Sequence, residues 1–76
     1  MILLKNIERN GNIISFTGYE EGKAYRHFDM KIDADTFDIL YLSCKPSVYT
    51  QQACIRIMML IKENTTLPKE SIGYWY

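Results

Sequence analysis

Histidine, cysteine and net charge are all scarce in this chain. His27 is the only histidine, Cys44 and Cys54 are the only thiols, and nine Lys+Arg balance nine Asp+Glu over 76 residues. A structural zinc site takes four thiolate or imidazole ligands, and at most three exist here, spread over separate stretches, so no metal is expected. With no export signal in view, the two thiols are expected to stay reduced, as in cytosolic proteins, rather than to close a disulfide. A formal charge of zero and a pI near 6.5 give no overall attraction to phosphate backbones, which disfavours nucleic acid as a partner.

Long apolar runs are absent as well. The longest, Ile57-Met58-Met59-Leu60-Ile61, is far below the roughly 20 residues of a membrane span. The expected setting is therefore cytoplasmic, with no membrane contact. The four glycines, Gly11, Gly18, Gly22 and Gly73, are dispersed, so no glycine-rich phosphate loop can form. Asp33-Ala34-Asp35-Thr36-Phe37-Asp38 opens like a calcium loop. It then places Asp38 where glycine is needed, and Cys44 where a bidentate glutamate belongs. A cysteine–histidine dyad fails for Cys54, which falls on the core arc of a helix while His27 falls on the outer face of a strand. No catalytic residue and no cofactor are expected, and the chain is read as a non-enzyme.

What is present is a pattern for one small α+β domain over residues 1–76. Asn10-Gly11 fits a two-residue type I′ turn between Met1–Arg9 and Asn12–Tyr19. Pairing Arg9 with Asn12 then puts Leu3, Ile7, Ile14 and Phe16 on the core face, with Leu4 and Asn6 outside. Glu20-Glu21-Gly22 reads as a three-residue loop pairing Tyr19 with Lys23. It leads into a third strand with Ala24, Phe28, Met30 and Ile32 inward, and Arg26 the exception on that face. Asp33 to Thr36 offers capping side chains for a short helix from about Thr36 to Ser43, the alternative being a fourth strand through Ile39 to Leu42. Pro46 and Ser47 then start a long helix from Val48 to about Asn64, and the tail from Lys69 to Tyr76, ending Tyr74-Trp75-Tyr76, is expected to be extended or to return to the sheet as a strand over Ile72–Tyr76, the alternative being a final helical turn opened by Pro68. The expected architecture is a three-stranded antiparallel meander, a short helix or strand, one long helix packed on the sheet, and this tail.

The long helix carries the functional signal. At 100° per residue Tyr49, Ala53, Cys54, Ile57, Met58, Leu60 and Ile61 share the arc that covers the sheet. Val48, Ile55 and Met59 fall together on the opposite, polar arc, among Gln51, Gln52, Arg56, Lys62 and Glu63. This stripe is either covered within the monomer, by the short helix or the tail, or it meets another chain. The expected function is a small non-catalytic protein–protein interaction module with a protein partner or a second copy of itself. Its partner-binding residues would be Val48, Ile55 and Met59 with a polar rim of Gln52, Arg56 and Lys62. The alternative is a small regulatory factor with weak nucleic-acid association, for which Tyr25, His27 and Lys31 on the third strand are the nearest thing to a stacking platform.

Overall fold

The computed structural model describes residues 1–63 and 66–73. Strands β1 (Ile2–Asn10), β2 (Ile13–Glu20), β3 (His27–Asp33) and β4 (Ile39–Leu42) are followed by helix α1 (Val48–Glu63) and a short strand β5 (Ser71–Gly73). All strand pairs are antiparallel, in one five-stranded sheet of order β4-β3-β2-β1-β5. The α+β reading holds: the sheet extends the expected three-stranded meander at both edges, by β4 where a short helix or a strand was expected and by β5 in the tail. The core is built from Ile2, Leu4, Ile7, Ile14, Phe16, Phe28, Met30 and Ile32 of the sheet, with Ala53, Ile57 and Leu60 of α1 above them.

The first hairpin turns one residue later than expected. Asn10 pairs with Ile13, so the turn is Gly11-Asn12. Gly11 takes φ 62° and Asn12 no positive φ, the arrangement of a type II′ turn rather than type I′. Arg9 Nε donates to the Gly11 carbonyl at 2.9 Å, and Ala34 N–H donates to the Asn12 carbonyl at 2.7 Å, tying the turn to the end of β3.

A second difference changes which side of β1 is buried. Lys5 pairs with Thr17 and Glu8 with Ser15, so β1 carries one more residue than β2 across this interval. Asn6, at φ 56°, absorbs it as a bulge. Because side chains alternate with period two, one extra residue exchanges the faces on one side of it. Ile2 and Leu4 are buried and Leu3 is only half-buried, the reverse of the expected assignment, while Ile7, Ile14 and Phe16 face the core as expected. The Ile7 N–H donates to the Lys69 carbonyl at 3.1 Å, so the C-terminal segment holds the bulge in place.

Between β2 and β3 the register lies four residues from the expected one. Tyr19 pairs with His27 and Ile14 with Ile32, leaving residues 21–26 as the loop. An even shift keeps the faces, so Phe28, Met30 and Ile32 remain in the core. Ala24 and Arg26, expected on that face of the strand, lie exposed in the loop.

Residues 36–43 do not form a helix. Asp33 Oδ1 accepts from the N–H groups of Asp35 and Thr36, at 2.8 and 3.0 Å. The capping side chain thus closes a turn, and Phe37 at φ 63° reverses the chain into β4. A helix of two turns scarcely recovers its nucleation cost, whereas four residues laid on β3 gain a ladder at once. For α1, Ser47 and Thr50 cap one another reciprocally: Ser47 N–H donates to Thr50 Oγ1 at 2.8 Å, and Thr50 N–H to Ser47 Oγ at 3.3 Å. The helix packs Thr50, Ala53, Ile57 and Leu60 toward the sheet and contacts β1, β2 and β5. The returning tail strand is β5, paired along β1. Tyr74, Trp75 and Tyr76 lie outside the described residues, as does Asn64 at the expected helix end.

Candidate functional site

Among the described residues, two groups of apolar side chains near one another remain exposed once this fold is built. The first is the outer stripe of α1. Val48, Ile55 and Met59 are 51%, 40% and 42% exposed. Of the two elements expected to cover them, the short one is β4, which lies at the sheet edge beside Thr50 and Cys54 on the other side of the helix, and the aromatic tail ends outside the described residues. Of the expected rim, Lys62 is exposed and Gln52 half-buried beside the stripe. Arg56 is turned the other way, its Nε donating to Ser71 Oγ of β5 at 2.9 Å. Its guanidinium anchors α1 to the sheet edge, so the arrangement brings Gln52 and Lys62 together with the stripe and sets Arg56 apart from it.

The second surface was not singled out in the sequence. In β4, Ile39, Leu40 and Tyr41 are each about half exposed, and β4 is the end of the sheet, with no strand beyond it among the described residues. Its four residues carry no charge, no proline and no strict alternation. An open groove of ≈ 440 Å³ lies between this strand and the start of α1, lined by Ile39, Pro46, Ser47, Thr50, Gln51 and Cys54. The available signal was the unbroken Ile39-Leu40-Tyr41-Leu42 run, which suits an uncharged strand as well as a short helix.

The face of the sheet away from α1 is polar. Thr17 Oγ1 donates to Asp29 Oδ1 at 2.8 Å, Lys5 Nζ lies 5.8 Å from the centre of the Tyr19 ring, and Tyr19 and His27 rings are 6.0 Å apart. Tyr25, expected with His27 and Lys31 on this strand, is in the β2–β3 loop. Cations and acids are mixed here, with Glu8 and Asp29 beside Lys31 around one shallow depression.

Nucleophile and metal chemistry find little support among the described residues. No group of three or more His, Cys, Asp or Glu is placed to hold a metal ion. Cys44 and Cys54 are free thiols, and burial pushes both above their usual range, away from the thiolate form that reacts. Cys54 Sγ sits against Met30 Sδ at 3.5 Å, inside the helix–sheet interface. Among the described residues no helix is long and apolar enough to cross a membrane. No protein-family model, curated protein or solved structure matches the chain.

Proposed function

We propose that the chain is a small non-catalytic cytoplasmic module whose work is to bind protein, and that it presents the outer stripe of α1 to another chain. The observation that carries this reading is the exposure of Val48, Ile55 and Met59 on a helix that buries Thr50, Ala53, Ile57 and Leu60 against the sheet. An exposed apolar strip in so small a domain gains by being covered, and Gln52 and Lys62 supply a wet edge to it. The affinity would be modest, since three side chains bury little area.

The test is the double variant Ile55→Lys with Met59→Lys, compared with the parent in tagged pull-downs from the native host and by thermal melting. A variant that melts like the parent and loses proteins the parent retains supports the stripe as a docking surface. A variant that unfolds assigns the stripe to the monomer core, and one that retains the same proteins removes the reading. The second reading, weak association with nucleic acid, draws on the Lys5, Tyr19 and His27 cluster of the open sheet face. It requires oligonucleotide binding that falls steeply as salt rises.

A further inference from the structure

We infer that Asn10 is a modification site, at which the backbone nitrogen of Gly11 closes on the Asn10 side chain and converts its amide to an acid without an enzyme, loosening the first hairpin as the protein ages. The Gly11 nitrogen gives up its proton and bonds to Cγ of Asn10. The Cγ–Nδ2 bond breaks, and Nδ2 leaves with that proton as ammonia, so that a succinimide ring remains. Water then parts the ring nitrogen from one of its two carbonyl carbons. Release from Cγ gives aspartate on the ordinary main chain, and release from the main-chain carbonyl gives isoaspartate, whose main chain runs on through Cβ and Cγ. Water is the only reactant consumed. The inference is independent of the reading of the chain as an interaction module.

The structure singles out Asn10 among the described asparagines. Asn10 and Gly11 are both exposed at the tip of the β1–β2 hairpin. Nothing lies within 4 Å of the place a Cβ of Gly11 would take, so no neighbour obstructs the ring as it closes. The Gly11 N–H donates to no group among the described residues, so the nucleophile need not first be freed. Arg9 Nε donates to the Gly11 carbonyl at 2.9 Å, which keeps a positive charge beside the amide and favours loss of its proton. Asn6 and Asn12 are hindered. The N–H that would attack Asn6 is that of Ile7, held by the Lys69 carbonyl at 3.1 Å. Asn12 Nδ2 is held by Asp35 Oδ2 at 2.8 Å, and the residue that would attack it, Ile13, is paired with Asn10. Both attacking residues are β-branched and crowd the ring, where Gly11 does not.

Isoaspartate adds a main-chain atom at a turn fixed on both sides. Asn10 pairs with Ile13, and the Asn12 carbonyl accepts from the Ala34 N–H at 2.7 Å. The lengthened turn no longer fits both anchors. Either product also leaves the formally neutral chain one charge more negative.

Ageing the full chain in mildly alkaline buffer at physiological temperature tests this, read by isoelectric focusing and peptide mapping. A more acidic band is expected to grow with time, faster as pH rises, with the amide-to-acid mass gain appearing first in the peptide that holds Asn10. Asn10→Ser, aged alongside, should lack that band. Mass gain at Asn6, Asn12 or Asn64 ahead of Asn10 overturns the inference. So does an Asn10 amide still intact when a synthetic peptide of residues 7–14 has fully converted. The isoaspartyl form, separated by ion exchange, is expected to melt below Asn10→Asp, which carries the same charge on an ordinary main chain. Equal melting of the two would overturn the loosening of the hairpin.

Discussion

The Phe28 ring lies across the backbone of Gly18, its cross-strand partner, so closely that a Cβ built on Gly18 would fall under 3.0 Å from three atoms of the ring. Glycine at this place is a packing requirement, since the ring occupies the space a side chain would take. Gly18→Ala is expected to destabilise by about 1–3 kcal/mol through overpacking, and Phe28→Ala by about 3–5 kcal/mol through the cavity it leaves. The two changes should not add, because once the ring is gone the extra methyl fills part of its space. Urea titrations of the single and double variants measure this. Additive losses would mean that the ring does not rest on Gly18.

Gly11 has open space around it, and only its φ of 62° restricts substitution. Gly11→Val should therefore cost on the order of 1–2 kcal/mol through backbone strain alone. Gly11→Asn, which tolerates that conformation better, should cost clearly less. A thermal melt of each variant checks the order; equal melting temperatures for parent and Gly11→Val would exclude this turn.

Asn6 holds the β1 bulge at φ 56° and is exposed. Asn6→Gly is expected to be neutral or slightly stabilising, and Asn6→Val to destabilise by roughly 1–3 kcal/mol, because a β-branched side chain is strained in the left-handed region. The diagnostic is the burial of Leu4 against Leu3. In Asn6→Val, nuclear Overhauser contacts to the α1 core side chains from the Leu3 methyls in place of those of Leu4 would show the strand slipping to the unbulged register.

Glu21 Oε1 receives two donors, the Met1 ammonium and the Tyr49 hydroxyl, each at 3.1 Å. The ammonium and then the tyrosine hydroxyl hold the Glu21 carboxyl below its usual 4.5, and the same hydrogen bond raises Tyr49 above its usual 10.0. A lowered carboxyl contributes stability that is present above pH 4.5 and lost as pH falls through the shifted value. A raised phenol contributes stability present below pH 10.0 and lost as pH rises through its shifted value. The Glu21–Tyr49 bond therefore acts only across the interval between, and Glu21→Gln should lower the melting temperature near neutral pH but converge with the parent at both extremes. A difference that stays constant from acid to alkali would contradict the bond. Asp33, held low by the Thr36 and Asp35 N–H groups, adds a second acid-side loss in both proteins.

Cys44 is exposed and Cys54 half-buried beside Met30. Both thiols are pushed above their usual 9.0 by burial, so alkylation near pH 8 should be slower than for a free thiol, with Cys54 the slower of the two. Peptide mapping of a time course with iodoacetamide gives the order. Faster labelling of Cys54 would show that α1 opens from the sheet.

The core faces of β2, β3 and α1 were legible in the residues themselves. Ile14 and Phe16, then Phe28, Met30 and Ile32, recur with period two, and Ala53, Ile57 and Leu60 recur on one helical arc, so burial follows from spacing whatever the exact register. Three things were decided only by tertiary contacts. A regular period in β1 sets Leu3 with Ile7 inward, and one bulge residue, whose neighbouring N–H is held by Lys69 far along the chain, puts Leu4 there instead. Residues 39–42 are too few for periodicity to separate strand from helix, and the ladder along β3 settled it. That β4 does not cover the α1 stripe could be judged only from where β4 lies, since a helical period records which residues share a side and not what stands opposite them. Local spacing fixes faces because it is a property of one element. Covering a face, pairing an edge or fitting a ring onto a glycine depends on distances between elements, which arise only when the chain closes on itself.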